Sequence, residues 1–102
     1  MEGMELLCFQ MISFHGTARS CYMEAIGKAK EGDFAEAQRL LDEGQKAYHE
    51  GHEVHAEVIQ KEAAGEKSEI SLLLIHSEDQ MMSAEVLYLM AVEMIDLYKK
   101  IG

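Results

Sequence analysis

Leu72-Leu73-Leu74-Ile75-His76-Ser77-Glu78-Asp79-Gln80-Met81-Met82 lies in the last of three long helical stretches and decides how the chain is read. In a helix, residues three, four and seven apart share a face. His76 then has Asp79, Gln80 and Ser83 on its own side, a polar group beside the apolar run Leu72 to Ile75. Asp79 has Leu72, Ile75, Met82 and Val86 as helical neighbours, with Ser83 the polar exception. A carboxylate buried in such a stripe must be neutralised by a proton, a cation, a metal or a second acid sharing a proton.

The third helix, expected over about 69–100, is apolar on two sides. One stripe is Ile70, Leu74, Met81, Ala84, Tyr88, Ala91, Ile95 and Tyr98; the other is Leu72, Ile75, Asp79, Met82, Val86 and Leu89. A helix apolar nearly all round needs cover nearly all round, and two further helices of one chain cover only part of it. The second stripe therefore predicts packing against other copies, most simply around a symmetry axis where Asp79 meets its own copies. Converging carboxylates repel one another and call for a shared proton or a hard cation. The alternative is an Asp79 that turns to solvent or bonds a serine hydroxyl.

Outward from that helix, the first is expected over about 4–30, with a seam of Met4, Leu7, Met11, Phe14, Ala18, Cys21 and Ala25. Gly16 within it suggests close approach by another helix or a ligand. Arg19 either serves an anion or pairs with a surface acid, and His15 is expected at a polar interface. Gly32 suits the left-handed position after a helix end, and Asp33 with Glu36 resembles a capping box. The second helix is expected over about 34–62, with a seam of Phe34, Ala37, Leu41, Gly44, Tyr48, Gly51, His55 and Val58. Its small residues Ala37, Gly44 and Gly51 recur every seven and allow a neighbouring helix to lie close. Ser68 is the expected N-cap of the third helix.

Composition agrees with an all-α fold, an antiparallel three-helix bundle. Pro is absent from the 102 residues, and the length suits one domain. A net charge of −10 argues against nucleic acid as a partner and against an anionic membrane surface. No apolar stretch is long enough to span a bilayer, so direct membrane insertion is not expected. The acidic start, Met1 to Glu5, is unlike a signal peptide, and Cys8 and Cys21, roughly 20 Å apart on one helix, read as free thiols. Both point to the cytoplasm.

The histidines fall into two groups. His49, His52 and His55 stand three apart, and two of them with Glu53 make a weak zinc candidate without motif spacing. His76 is read equally well as a functional imidazole or as a buried, hydrogen-bonded structural histidine.

Residues 72–82 resemble the phosphorylation motif of the lactose/cellobiose-specific enzyme IIA component of the sugar phosphotransferase system. Gly16-Thr17-Ala18-Arg19-Ser20 is similar to that family's first-helix signature, and Lys30-Glu31-Gly32-Asp33-Phe34 and Lys61-Glu62-Ala63-Ala64-Gly65-Glu66 to its two turns. The resemblance implies a homotrimer of three-helix subunits, a nine-helix bundle. It implies that His76 takes a phosphoryl group from the phosphocarrier HPr and passes it to a cysteine of the IIB component, which serves the membrane IIC component. Asp79 is implied as the axial residue, with a divalent cation such as Mg²⁺. Gln80 or Ser83 is expected to stabilise the phosphoryl oxygens. No Gly-rich phosphate loop is present, so the expected donor is a phosphoprotein rather than a nucleotide.

The chain departs from the family's pattern at Glu78, where Gln is common; at Gln80, where His is common; at Thr17, where Asn or Asp is common; and at His15, where a small residue is usual. Glu78 beside a phosphohistidine is unfavourable unless it points away. A competing expectation is a helical interaction module of tetratricopeptide or microtubule-interacting type, suggested by the turn Glu31 to Ala37; the lack of a 34-residue repeat weighs against it.

Overall fold

The computed structural model describes residues 3–65 and 71–102. Three helices account for nearly all of them: α1 (Gly3–Lys30), α2 (Phe34–Ala63) and α3 (Leu72–Ile101). Pairing between elements fixes the direction of each. Gly44 faces Tyr22 and Gly51 faces His15, so α2 runs antiparallel to α1. Arg19 meets Gln80 and Tyr22 meets Tyr88, so α3 runs parallel to α1. His55 meets Glu78, closing an up-down-up bundle with principal extents of 53 × 19 × 16 Å.

The first turn forms as its residues dictate. Gly32 takes φ 84°, a value that L side chains avoid, and Asp33 accepts a hydrogen bond from the Glu36 amide at 3.2 Å. At the start of α3 the cap is Ser71, whose hydroxyl accepts from the Leu74 amide at 3.1 Å. The expected cap Ser68, with Glu69 and Ile70, lies outside the described residues. Ser71 has extended backbone angles, so the described helix begins at Leu72.

α1 is the central helix. It packs along the whole of α2 and α3, while those two touch each other far less. Its buried arc is therefore wider than one seam. The expected Leu7, Met11, Ala18 and Ala25 are buried, but the fully buried large residues are Tyr22, Met11 and His15, and Phe14 and Cys21 lie at the edge. The glycines of α2 explain the rotation. A Cβ at Gly44 would stand 2.5 Å from Tyr22 Cε1, and one at Gly51 2.5 Å from His15 Nε2. Missing side chains on α2 thus make the sockets for two large rings of α1. The close-helix part of the Gly16 expectation is corrected within the chain: nothing lies within 4 Å of a Cβ built there, so packing in the subunit does not require a glycine.

The two-stripe reading of α3 holds within the subunit. Ala84, Ala91 and Ile95 are buried against α1, and Ser77 continues that stripe, its hydroxyl returned to the Leu74 carbonyl at 2.7 Å. On the opposite side Leu72, Ile75, Met82, Val86 and Leu89 are each more than half exposed.

Candidate functional site

His76 lies one turn into α3 with its imidazole exposed, which removes the buried structural alternative. It shares a hollow of about 390 Å³ with Leu72 and Leu73. The hollow is almost wholly apolar apart from the ring. One turn further along, Gln80 accepts a hydrogen bond through Oε1 from Arg19 Nη1 of α1, at 2.7 Å. Arg19 makes no ion pair with a carboxylate among the described residues, in contrast to Arg39, which lies between Glu36 and Glu43, and Lys28, which pairs with Glu31. The surface-acid reading of Arg19 does not hold among the described residues: it holds a neutral amide four residues along α3 from the candidate histidine.

Ser83 is placed elsewhere. Seven residues are two helical turns, about 10.5 Å along the axis from His76. Ser83 lines a second shallow hollow with Asp79, Met82, Val86, Leu87 and Met90. Asp79 is exposed in the single subunit, within the unpartnered apolar stripe. Among the described residues no three His, Cys, Asp or Glu side chains converge in one chain, so the subunit alone gives no support to a metal at Asp79.

Glu78 points away from His76. Two residues are about 200° apart around a helix. Its carboxylate accepts from His55 Nε2 of α2, with Oε1 at 2.9 Å and Oε2 at 3.1 Å. His55 is thereby a structural tie between α2 and α3, and the three histidines of α2 are not brought together around one point with Glu53. Sequence reasoning missed this pair. Its signal was that His55 falls on the α2 seam while Glu78 replaces an uncharged residue at the edge of α3.

Behind His55 lies His15, fully buried, with neither ring nitrogen in a well-formed hydrogen bond. Its ring packs against Tyr48 at 5.2 Å between centroids. Burial holds its pKa below the ordinary 6.5, and the charge of His55 acts the same way; the carbonyls of Tyr48 and Met11 oppose the shift. His15 is therefore a core residue rather than the expected polar interface residue. Tyr22 is buried alongside, its hydroxyl donating to Gln45 Oε1 at 3.2 Å, and burial pushes its pKa up.

A rigid helical subunit that offers an exposed imidazole in a shallow apolar hollow, flanked by an Arg–Gln pair, is built to meet another macromolecule rather than to enclose a small substrate. The sequence model of the family described as "PTS system, Lactose/Cellobiose specific IIA subunit" matches residues 6–99. The chain belongs to this family: it is a IIA component of a sugar phosphotransferase system of the lactose/cellobiose class.

Relatives agree in sequence and fold. The lichenan-specific phosphotransferase enzyme IIA component of Bacillus subtilis (strain 168) is 44% identical over 100 residues, covering 98% of this chain and 91% of that protein. The lactose-specific EIIA component of Staphylococcus aureus (strain N315) is 33% identical over 99 residues, covering 97% of this chain and 96% of that one. The crystal structure of the cellobiose-specific enzyme IIA from Bacillus anthracis superposes with a TM-score of 0.96 at 46% identity, covering 99% of this chain and 93% of that chain. The IIA(chitobiose) subunit, solved in complex with HPr from the Escherichia coli phosphotransferase system, superposes at 0.84 with 32% identity, covering 99% and 98%. Among the described residues no helix is long and apolar enough to cross a membrane. The interaction-module alternative gives way to this family.

Proposed function

We propose that the chain is the cytoplasmic phosphocarrier of an uptake system for a lactose- or cellobiose-type oligosaccharide, with His76 as the phosphorylated residue. The observation that carries the reading is the exposed imidazole of His76, set in an apolar hollow beside Gln80 and Arg19. A nitrogen of the neutral ring attacks phosphorus of phospho-HPr, and the N–P bond forms as the bond to the donor breaks. In the second transfer that N–P bond breaks as an S–P bond forms on a thiolate of the IIB component, which serves the membrane IIC component. One phosphoryl group enters and one leaves. Such a reaction asks mainly for in-line positioning and charge stabilisation. The relative solved with HPr supports HPr as the donor.

The working assembly in this reading is a homotrimer, with the exposed stripe of α3 on the axis. Asp79 is its axial residue. One chain brings a single carboxylate, but three copies would bring the hard oxygen donors that Mg²⁺ takes, and a bound cation would neutralise their mutual repulsion. Ser83 stands beside Asp79 and Gln80 beside His76, so the phosphoryl oxygens are assigned to Gln80.

The test is incubation with phosphoenolpyruvate, enzyme I and HPr, read by intact mass. The expected result is one acid-labile phosphoryl group, absent in His76→Ala. An unmodified wild-type mass removes the proposal.

A further inference from the structure

We infer that Arg19 is a positioning residue for phosphoryl transfer, fixing the Gln80 amide so that it presents N–H donors, not its oxygen, to a phosphoryl group on His76. The inference rests on the phosphocarrier reading of His76 and adds to it a residue of another helix.

Chemistry sets the orientation of the amide. A guanidinium has five N–H donors and no acceptor. The Gln80 atom that meets Arg19 Nη1 at 2.7 Å must therefore be the carbonyl oxygen, and Nε2 is left turned from Arg19. Neither N–H of that nitrogen has a hydrogen-bond partner among the described residues. Gln80 is four residues from His76, on the same side of α3. A phosphoryl group is an anion that only accepts hydrogen bonds. An amide oxygen facing it would repel it; two N–H groups facing it would hold it. Without Arg19 the amide is free to rotate, and half of its useful orientation is lost together with a nearby positive charge. Arg19 suits this task because no carboxylate among the described residues competes for it, whereas Arg39 is engaged by two.

The same geometry separates function from stability. A carboxylate at position 80 would pair with Arg19 and strengthen the α1–α3 contact. It would also turn an acceptor toward the phosphoryl group. Gln80→Glu is thus expected to fold at least as stably as the wild type and yet to hold phosphate worse.

The experiment measures two quantities on the full chain: the equilibrium of transfer from phospho-HPr and the lifetime of the phosphohistidine once HPr is removed. Wild type is compared with R19M, Q80L, R19M/Q80L, R19K and Q80E, with thermal unfolding of each recorded in parallel. R19M and Q80L are each expected to shift the equilibrium and shorten the lifetime about tenfold, the size of losing one charge-assisted contact. The double variant is expected to lose little more than either single, because both act through one amide. R19K, which keeps charge and donors, is expected to recover much of the loss. The KM for phospho-HPr is expected to stay near wild type in all of them. If R19M does not fold, Q80E decides: unchanged phosphohistidine with raised thermal stability overturns the inference. So does an R19M variant with wild-type lifetime and equilibrium, or a double variant whose loss is the product of the singles. A wild-type chain that gains no phosphoryl group overturns the phosphocarrier reading as well, which keeps the two failures apart.

Discussion

The packing of α1 on α2 can be tested by adding one carbon at a time. Gly51→Ala places a methyl 2.5 Å from His15 Nε2, 2.7 Å from Cε1 and 2.9 Å from Cδ2. The ring must move, and it is fully buried against Tyr48. Overpacking of a filled core costs about 1–3 kcal/mol, against about 1 kcal/mol recovered when Ala replaces a helical Gly. The net expectation is a loss of about 0–2 kcal/mol. Gly44→Ala is harsher. Its methyl stands 2.5 Å from Tyr22 Cε1 and 3.0 Å from Cys21 Cβ, an atom tied to the backbone of α1 that cannot rotate aside. The expected loss is about 2 kcal/mol or more. Gly27→Ala meets nothing within 4 Å and takes the propensity gain alone, about 1 kcal/mol.

The assay is urea unfolding followed by far-ultraviolet circular dichroism, at one fixed chain concentration for all variants. The expected order of stability is Gly27→Ala, wild type, Gly51→Ala, Gly44→Ala. His15→Ala combined with Gly51→Ala is expected to lose less than the sum of the two singles, because the added methyl enters the space that the ring vacates. A Gly51→Ala chain as stable as Gly27→Ala, or strict additivity with His15→Ala, would refute the socket account.

Three further expectations follow from particular residues. His15 is held neutral by burial, so its folded-state pKa lies below the unfolded value; as pH falls below about 6.5 the unfolded chain takes up the proton first, and stability drops until the folded value is reached. His15→Leu should flatten that slope in urea midpoints measured across the range, and an unchanged slope would place its origin elsewhere. Asp79→Leu is expected to keep or strengthen self-association in light scattering, because it completes the apolar stripe; a monomeric variant would mean that the carboxylates are bridged essentially by metal. Ser71→Ala should cost about 1 kcal/mol and speed amide exchange in the first turn of α3, the turn just before His76, with no change if another group caps the helix.

Much of this arrangement was legible in sequence because it rests on periodicity. The seam of α2, the turn at Gly32 and Asp33, and the double stripe of α3 all follow from residue spacing, and each lies where expected. What spacing does not carry is the rotation of a central helix. α1 touches two neighbours, so its buried arc is centred between two seams, and Tyr22 and His15 enter the core where Phe14 and Cys21 were expected. Likewise the residues that meet across helices, Arg19 with Gln80 and His55 with Glu78, are 61 and 23 positions apart. No local pattern links them; only the register of the assembled bundle does. For the same reason the close-helix reading of Gly16 does not hold within the chain, since a helical glycine signals a close neighbour only if that face has one.

Helix geometry and register together sort the two carboxylates near His76. Around α3, the buried stripe through Ser77 and Ala84 divides the remaining surface into flanks. Gln80 occupies the flank toward α1, where Arg19 supplies positive charge, and His76 stands exposed four residues before it. Glu78 occupies the flank toward α2, where His55 takes up its carboxylate. Asp79 belongs to neither; it faces outward in the exposed apolar stripe. Three acid–base characters are thus sorted onto three sides of one helix within four residues. A one-residue slip of α3 against its neighbours would leave the spacing of His76, Glu78 and Asp79 unchanged but would part Arg19 from Gln80 and His55 from Glu78. Among the described residues, Arg19 gripping Gln80 and His55 tied to Glu78 are the polar contacts between helices that oppose such a slip, alongside the apolar stripe of Ala84, Ala91 and Ile95. Gly16, in contrast, meets no helix of its own chain, so α1 keeps an open surface one turn from Arg19. The spacing of Glu78 and Asp79 from His76 is therefore set by α3 itself, while register supplies Arg19 for Gln80 and His55 for Glu78, through contacts that do not themselves involve the imidazole.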